Sequence, residues 1–336
     1  MKILVTMPEG VIRESFVPKQ VRSRLESVAE VEYNDMARNF TPQELRDRLR
    51  GVDVALTGWG TTLFDEAVLE GNDRLKLIAH TGGSVTPVMS DAAYERGIRV
   101  ISGNEMYAES VAESVIAYSL AALRRIPEFL DRTKTGDWYH AGEVWEGLLD
   151  QTVGVIGFGM TSRHLFRMGK AFRLRFKVLE KPYLTPEVQA EYGFTTASLE
   201  EIFSTCKIVS LHCGMTRSYY HLVGERLLGM MPEGAILINT ARGPVIDEQA
   251  LIAELKRNRI RAVLDVYEEE PLPANSELRR LPNALCVPHM GGPTFDRRKL
   301  ITMALIDDVL RFAAGDPMKL EISREYASHM SDRAST

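Results

Sequence analysis

Thr152-Val153-Gly154-Val155-Ile156-Gly157-Phe158-Gly159-Met160-Thr161-Ser162 is the stretch that decides how this chain folds. A β-rich apolar run leads into a glycine turn, and a helical pattern starts directly after it. Gly157 permits a tight turn, and Gly159 lets the backbone approach a pyrophosphate. The helix that follows would offer free N–H groups and partial positive charge to phosphate oxygens. A second strand-like run, 175–179, ends at Glu180, twenty-three positions after Gly157. A carboxylate there can accept a hydrogen bond from a ribose 2′-hydroxyl. Glycine-rich turns also occur as plain loops, but the acidic residue at this distance and the flanking elements make this a dinucleotide site. Ser162 stands where a third glycine is usual, and serine is small enough for the turn to survive.

The chain has 336 residues, enough for two domains with separate cores. Hydrophobic content is 45% and charged content 26%, the ordinary globular range. A net charge of −5 with no long basic run leaves no electrostatic footprint for nucleic acid. No apolar run reaches the length of a membrane span. The opening Met1-Lys2-Ile3-Leu4-Val5-Thr6 is too short for a signal peptide and reads as a first strand. Cys206, Cys213 and Cys286 have no metal-type spacing and cannot all pair, which fits a reduced, cytoplasmic setting.

Outward from the glycine turn, strands and helices alternate. On the N-terminal side, 2–6, 52–57, 75–79 and 99–102 read as strands, with a helix over 41–50. A long helical pattern runs from Asn104 to Leu130, with Val111, Val115, Ala122 and Ile126 on its apolar positions and Pro127 interrupting it late. Residues 135–150 are irregular. Six strands follow, at 152–156, 175–179, 208–212, 235–239, 261–265 and 284–288. A helical stretch from Pro293 to Ala314 comes next, and the polar tail 330–336 is expected to fray. This succession predicts parallel sheets in an α/β protein, with one domain inserted into another. Residues 1–102 and 294–336 would form one domain and 103–293 the dinucleotide-binding domain. A cleft between two such domains is a common small-molecule site.

Three charged residues follow strands of the second series, where open α/β sheets bind ligands. Arg242, in Ile238-Asn239-Thr240-Ala241-Arg242-Gly243-Pro244, has the two-pronged geometry that suits a carboxylate, which lysine lacks. His289, in Val287-Pro288-His289-Met290-Gly291-Gly292, can pass a proton to or from an oxygen near neutral pH. Glu270 ends Asp265-Val266-Tyr267-Glu268-Glu269-Glu270-Pro271, and a carboxylate beside His289 would orient the ring and favour the imidazolium. Glu268, Glu269 and Glu270 also fit a solvated acidic run, and the pattern does not say which of them turns inward.

Together these segments resemble the D-isomer-specific 2-hydroxyacid dehydrogenase family, which includes phosphoglycerate, glyoxylate/hydroxypyruvate and D-lactate dehydrogenases. The Gly157-Phe158-Gly159 turn, the strand end through Arg242, the run from Asp265 to Pro271, the run from Pro288 to Gly292 and Val111-Ala112-Glu113 carry the likeness, which spans about residues 50–315. The resemblance implies a Rossmann-type, doubly wound NAD-binding domain inserted into a smaller flavodoxin-like α/β substrate domain. It implies an NAD(H)-dependent oxidoreductase that interconverts a D-2-hydroxy acid and a 2-oxo acid. Arg242 would bind substrate carboxylate and carbonyl, His289 would be the acid/base, and Glu270 would tune it. Met160 and Thr161 would meet the pyrophosphate and Glu180 the ribose. Thr240, Ala241, Arg242, Asp265, His289 and Gly292 would flank the nicotinamide. Backbone N–H groups of Gly82, Gly83 and Ser84, in His80-Thr81-Gly82-Gly83-Ser84, would grip the substrate carboxylate; without the likeness these glycines are a turn after a strand. A homodimer is implied, with 135–150 reaching to the partner.

Some positions depart from the family pattern. His212-Cys213-Gly214 replaces a His-x-Pro loop, and Gly82-Gly83-Ser84-Val85-Thr86-Pro87 stands where Gly-x-Gly or Gly-Val-Asp is usual. Glu180 should repel a 2′-phosphate and so favours NAD, while Lys181, with Arg175 and Lys177 nearby, leaves NADP open. Trp59 either lines the substrate side or packs under its loop. No metal is expected, since the cysteines and histidines form no cluster of the kind zinc requires. A dinucleotide-sensing binding protein of the same fold, like the corepressors that share this triad, remains the alternative to an enzyme. Formate dehydrogenase, a relative that pairs its histidine with glutamine, is disfavoured by Glu270. A hydrolase is disfavoured because His212 and Cys213, adjacent on a strand, point to opposite faces.

Overall fold

Val54-Ala55-Leu56-Thr57 and Leu77-Ile78-Ala79-His80 are buried at every position. Strands covered on both faces read as unbroken apolar runs, and such strands build parallel sheets. The computed structural model describes residues 1–330 and places these two runs at the heart of the first of two units, Met1–Tyr107 with Pro293–Thr336. Of the tail 330–336, expected to fray, Met330 packs against the core of this unit and 331–336 lie outside the described residues.

The first unit holds β1 (Lys2–Val5), β2 (Glu30–Tyr33), β3 (Val54–Thr57), β4 (Leu77–His80) and β5 (Arg99–Ser102). All neighbours pair in parallel, in the order β2-β1-β3-β4-β5, with Ile3 opposite Val54 and Leu56 opposite Ala79. This is the flavodoxin-like order, with its topological switch between β1 and β3. The helix Phe295–Ala314 buries Ile301, Leu305, Ile306 and Val309 in the same core as Ile3, Val5, Phe16 and Ile101. The helix Pro42–Arg48 starts in a capping box: Thr41 Oγ1 accepts from Glu44 N at 3.3 Å, and Thr41 N donates to Glu44 Oε2 at 2.8 Å.

The second unit, Ala108–Gly292, holds β6 (Thr152–Ile156), β7 (Arg175–Leu179), β8 (Phe194–Ala197), β9 (Ile208–Leu211), β10 (Ile236–Asn239), β11 (Arg261–Leu264) and β12 (Ala284–Cys286). Its order is β12-β11-β10-β9-β6-β7-β8, all parallel. Read from its first strand, that is the doubly wound dinucleotide-binding order, reversing between β6 and β9.

The structure differs from the sequence reading in the first unit, where Glu30–Tyr33 adds an edge strand, and in two details of the second. Its sheet has seven strands rather than six, because Phe194-Thr195-Thr196-Ala197 adds an edge. The long helical pattern also breaks early: one helix is Asn104–Leu123, and a second is Ile126–Lys134 after Arg125 at φ 52°. Pro127 supplies the reason. Its ring would collide with the carbonyl four residues back, at Leu123, so the helix ends there and the proline sits in the first turn of the next. Ile126, counted among the apolar helix positions, is 43% exposed. Among the described residues no helix is long and apolar enough to cross a membrane.

Candidate active site

The glycine turn after β6 has no room for a side chain at its first position. Gly157 sits at φ 105°, and a Cβ there would stand 2.7 Å from the His212 carbonyl oxygen. Gly159 caps the helix Met160–Gly169 with extended backbone, no side-chain cap, and open space where a Cβ would go. A helix start with no side-chain cap, beside open space, is what a pyrophosphate requires. Ser162 replaces the third glycine without disturbing the turn, because its hydroxyl donates to the Gly157 carbonyl at 2.8 Å. Met160 and Thr161 form the first helical positions.

Glu180 follows β7 with its side chain exposed, and its N–H donates to the Ala197 carbonyl at 3.0 Å. The cations around it have other partners. Lys177 reaches Glu201 at 2.5 Å and Thr205 at 3.2 Å, and Arg175 Nε reaches Thr152 Oγ1 at 3.4 Å. Lys181 lies over the Tyr219 ring at 5.5 Å. The Glu180 carboxylate therefore has no bonded cation among the described residues, which suits a ribose hydroxyl better than a phosphate.

At the end of β10 the loop 240–242 is held by Asn239. Its Oδ1 accepts from Ala241 N at 3.0 Å, and its Nδ2 donates to the Arg242 carbonyl at 2.9 Å. Arg242 is partly buried; burial pushes its guanidinium down from the ordinary arginine range, while the Glu270 carboxylate pulls the other way. Gly243 allows this loop to lie on the neighbouring one, since a Cβ there would fall 1.8 Å from the Tyr267 carbonyl oxygen. Thr240 contributes a buried Oγ1 with no partner among the described residues, a polar group that a ligand would satisfy. The turn, the open helix end and this orphaned hydroxyl together fit a dinucleotide.

The structure also separates Glu270 from Glu268. Glu270 Oε2 lies 2.6 Å from His289 Nδ1, and its Oε1 accepts from Tyr267 N at 3.1 Å. Glu268 turns instead to His221 Nε2 at 2.7 Å. A carboxylate only accepts, so Nδ1 of His289 carries the proton and Nε2 is the nitrogen left at the tip of the ring. The His289 side chain is 54% exposed, and its backbone lies at φ 48°.

Asp265, expected beside the nicotinamide, has both oxygens engaged by the chain itself. Oδ1 accepts from Met290 N at 2.7 Å and from Tyr118 Oη at 3.3 Å, and Oδ2 accepts from Gly291 N at 2.9 Å. It clamps the loop that carries His289. Ser114 adds a bond to the Gly291 carbonyl at 3.1 Å, and a Cβ on Gly291 would come within 2.6 Å of Asp265 Oδ2. Tyr267 ties the same region, its hydroxyl reaching the carbonyls of Leu264 and Val287 at 2.9 Å each. Asn239, Ser114, Tyr118, Tyr267 and Gly243 were not foreseen. Ser114 directly follows the Val111-Ala112-Glu113 likeness, which was the available signal for it.

In the first unit, Gly82, Gly83 and Ser84 follow β4. Their carbonyl side is engaged: Gly103 N reaches the Gly82 carbonyl at 3.1 Å, and Ser102 Oγ the Gly83 carbonyl at 3.2 Å. Their N–H groups donate to no partner among the described residues. His80 beneath them is sealed, with Nδ1 2.8 Å from Thr57 Oγ1, and burial pushes its pKa down to about 4. Cys213 is buried in the second unit, and burial pushes its thiol up to about 12, so it is not a ready nucleophile.

An NAD-type dinucleotide domain with a pinned histidine–carboxylate pair and an arginine at its strand ends defines a class of oxidoreductase, and comparison with known proteins agrees. The model of the D-isomer specific 2-hydroxyacid dehydrogenase NAD binding domain matches residues 116–291. Glyoxylate reductase of Thermococcus litoralis is 33% identical over 280 residues, covering 81% of this chain and 84% of that one. D-3-phosphoglycerate dehydrogenase of Methanocaldococcus jannaschii is 32% identical over 318 residues, but the chain spans only 58% of its length. The apo structure of D-lactate dehydrogenase from Escherichia coli superposes with a TM-score of 0.73 at 27% identity, covering 96% of this chain and all of that one. The chain belongs to the D-isomer specific 2-hydroxyacid dehydrogenases. It is accordingly an NAD(H)-dependent oxidoreductase of 2-hydroxy and 2-oxo acids.

Proposed function

We propose that this chain reduces a 2-oxo acid to the D-2-hydroxy acid, and that Arg242, Glu270 and His289 carry the reaction. The bound nicotinamide supplies or takes up the hydride. Arg242 holds the substrate carboxylate and polarises the carbonyl oxygen, as a guanidinium fork suits two oxygens at once. His289 gives the proton to that oxygen from Nε2 and takes it back in the reverse direction. Glu270 fixes the ring through Nδ1 and stabilises the imidazolium. The free N–H groups of Gly82, Gly83 and Ser84 are assigned to the substrate carboxylate as well. Met160, Thr161 and Glu180 are assigned to pyrophosphate and ribose, and Thr240, Ala241 and Gly292 to the nicotinamide side. Asp265 is assigned to positioning the His289 loop. The 2.6 Å contact between Glu270 Oε2 and His289 Nδ1 carries this reading, because it leaves the outer imidazole nitrogen for substrate.

We also propose a homodimer formed through residues 135–150. Support comes from Trp138, Tyr139, Val144 and Leu149, which are 65%, 54%, 70% and 54% exposed on one stretch. Light scattering that gives the mass of one chain would refute it.

The function is tested by following NADH absorbance with glyoxylate, hydroxypyruvate, pyruvate, phenylpyruvate, 2-oxoglutarate and phosphohydroxypyruvate. At least one should be reduced, and Arg242→Lys should lower kcat/KM by about 100-fold, since an ammonium loses the two-pronged contact. Tight NADH binding without turnover on any of these acids would instead favour a dinucleotide sensor.

A further inference from the structure

Arg298 stands in the first turn of the helix Phe295–Ala314, beside Arg297 and Lys299. Cations are disfavoured there by the helix dipole, and Asp296 in the same turn offsets part of that cost. Rings crowd the Arg298 guanidinium: Phe295 at 4.3 Å, Trp59 at 5.0 Å and Phe16 at 5.5 Å. Nε donates to the Pro293 carbonyl at 3.2 Å and Nη1 to Ser15 Oγ at 3.3 Å. Its other N–H bonds find no acceptor, and it pairs with no carboxylate among the described residues. Stacking on rings satisfies the charge in part but does not satisfy in-plane donors. A guanidinium screened by rings, with a free edge, is built to take an oxyanion in its plane.

The cluster adjoins the loop of free amides within the same unit. Trp59 meets the Tyr107 ring edge-on at 6.4 Å, and a Cβ on Gly83 would touch that ring at 3.3 Å. The Tyr107 hydroxyl is buried beside Trp59. An acid gripped by the residue 82–84 amides would therefore extend along Tyr107 and Trp59 toward Arg298. Burial pushes the Arg298 guanidinium down from the ordinary arginine range, a cost that a bound anion would offset.

Resting on the function proposed above, we propose that the chain prefers 2-oxo acids carrying a second anionic group, carboxylate or phosphate, and that Arg298 is the residue that selects it. The test compares kcat/KM within matched pairs. Phosphohydroxypyruvate is set against hydroxypyruvate for a phosphate, and 2-oxoglutarate against 2-oxovalerate for a carboxylate. The doubly charged member of at least one pair should be favoured by about ten-fold or more, and which pair shows it distinguishes the two anions. Arg298→Met should lower that ratio by about ten-fold, chiefly through KM, and Arg298→Lys should retain part of it. A purely structural role would lower both members alike and leave the ratio unmoved. A wild-type protein that reduces singly charged acids as well as doubly charged ones overturns this inference alone. So does a ratio that neither variant changes. Failure to reduce any 2-oxo acid overturns the proposed function as well.

Discussion

The second unit contains two histidine–glutamate pairs that look alike and differ in what they leave free. His289 meets Glu270 at 2.6 Å and His221 meets Glu268 at 2.7 Å; both histidines have positive φ, 48° and 49°. His289 is bound through Nδ1, so its outer nitrogen, Nε2, is available. His221 is bound through Nε2, and its ring lies flat on Tyr220 at 4.0 Å between centroids. Glu268 is further engaged by the N–H of Glu248 at 3.2 Å. The pairing alone does not mark an acid/base. Which nitrogen the carboxylate takes decides whether the other can reach a substrate.

The sharpest way to break that comparison is to remove each ring. His289→Ala should lower kcat by about 1,000-fold while NADH affinity holds, in line with the loss of a general acid. His221→Ala should stay within about two-fold of wild type. Equal losses in steady-state NADH oxidation would mean that the free nitrogen is not what separates the pairs.

A second contrast sets these rings against two deeper ones, His80 buried and His212 partly buried. Burial pushes His80 and His212 down to about 4 each, with Thr57 Oγ1 and Ser210 Oγ as their hydrogen-bond neighbours at 2.8 and 2.9 Å. Above the ordinary value of 6.5 both folded and unfolded states keep them neutral, so they do not make stability depend on pH. As pH falls from 6.5 toward 4 the unfolded chain takes up the protons first, and stability is lost. The full loss is present below about 4, at about 3 kcal/mol for each ring. Urea unfolding at pH 7.5, 6, 5 and 4 measures it, and His80→Gln should flatten the slope. A slope that this variant leaves unchanged would show that His80 is not the group being protonated.

Asp265 tests how the useful pair is kept in place. Asp265→Asn leaves one oxygen to do the work of two acceptors and turns an amide toward a backbone N–H. The loss in kcat should be about ten-fold, with a lowered melting temperature and little change in NADH affinity. A large loss of NADH affinity with kcat retained would place the carboxylate at the cofactor instead.

What could be read in the sequence and what could not divide along physical lines. Runs such as Val54-Ala55-Leu56-Thr57 announce themselves because both faces are buried. The strands that escaped notice, Glu30–Tyr33 and Phe194–Ala197, are sheet edges with a polar or half-exposed side, so no apolar run marks them. The glycine turn was legible because its positions require glycine for steric reasons. The choice among Glu268, Glu269 and Glu270 was not, because it depends on how a loop lies against His289 and His221, far away in sequence. The Asp265 clamp was hidden for the same reason: its partners are twenty-five and twenty-six residues on, and only the fold brings them together.

The smallest expected effect is at Glu268, and it bears most directly on the opening contrast. Glu268→Gln keeps the shape of the side chain and an oxygen for the Glu248 N–H, but removes the charge beside His221. The pair is partly exposed, at 34% and 35%, so its charge is screened by solvent. Stability should change by less than about 1 kcal/mol, and kcat should not change measurably. Glu270→Gln is the matched substitution at the other pair. There the carboxylate orients and stabilises a ring that must exchange a proton, so kcat should fall and the pH dependence of kcat should move. If the two glutamine variants shift the pH profile equally, the carboxylates act through long-range charge rather than through the nitrogen they hold. A shift confined to Glu270→Gln ties the proton chemistry to Nε2 of His289.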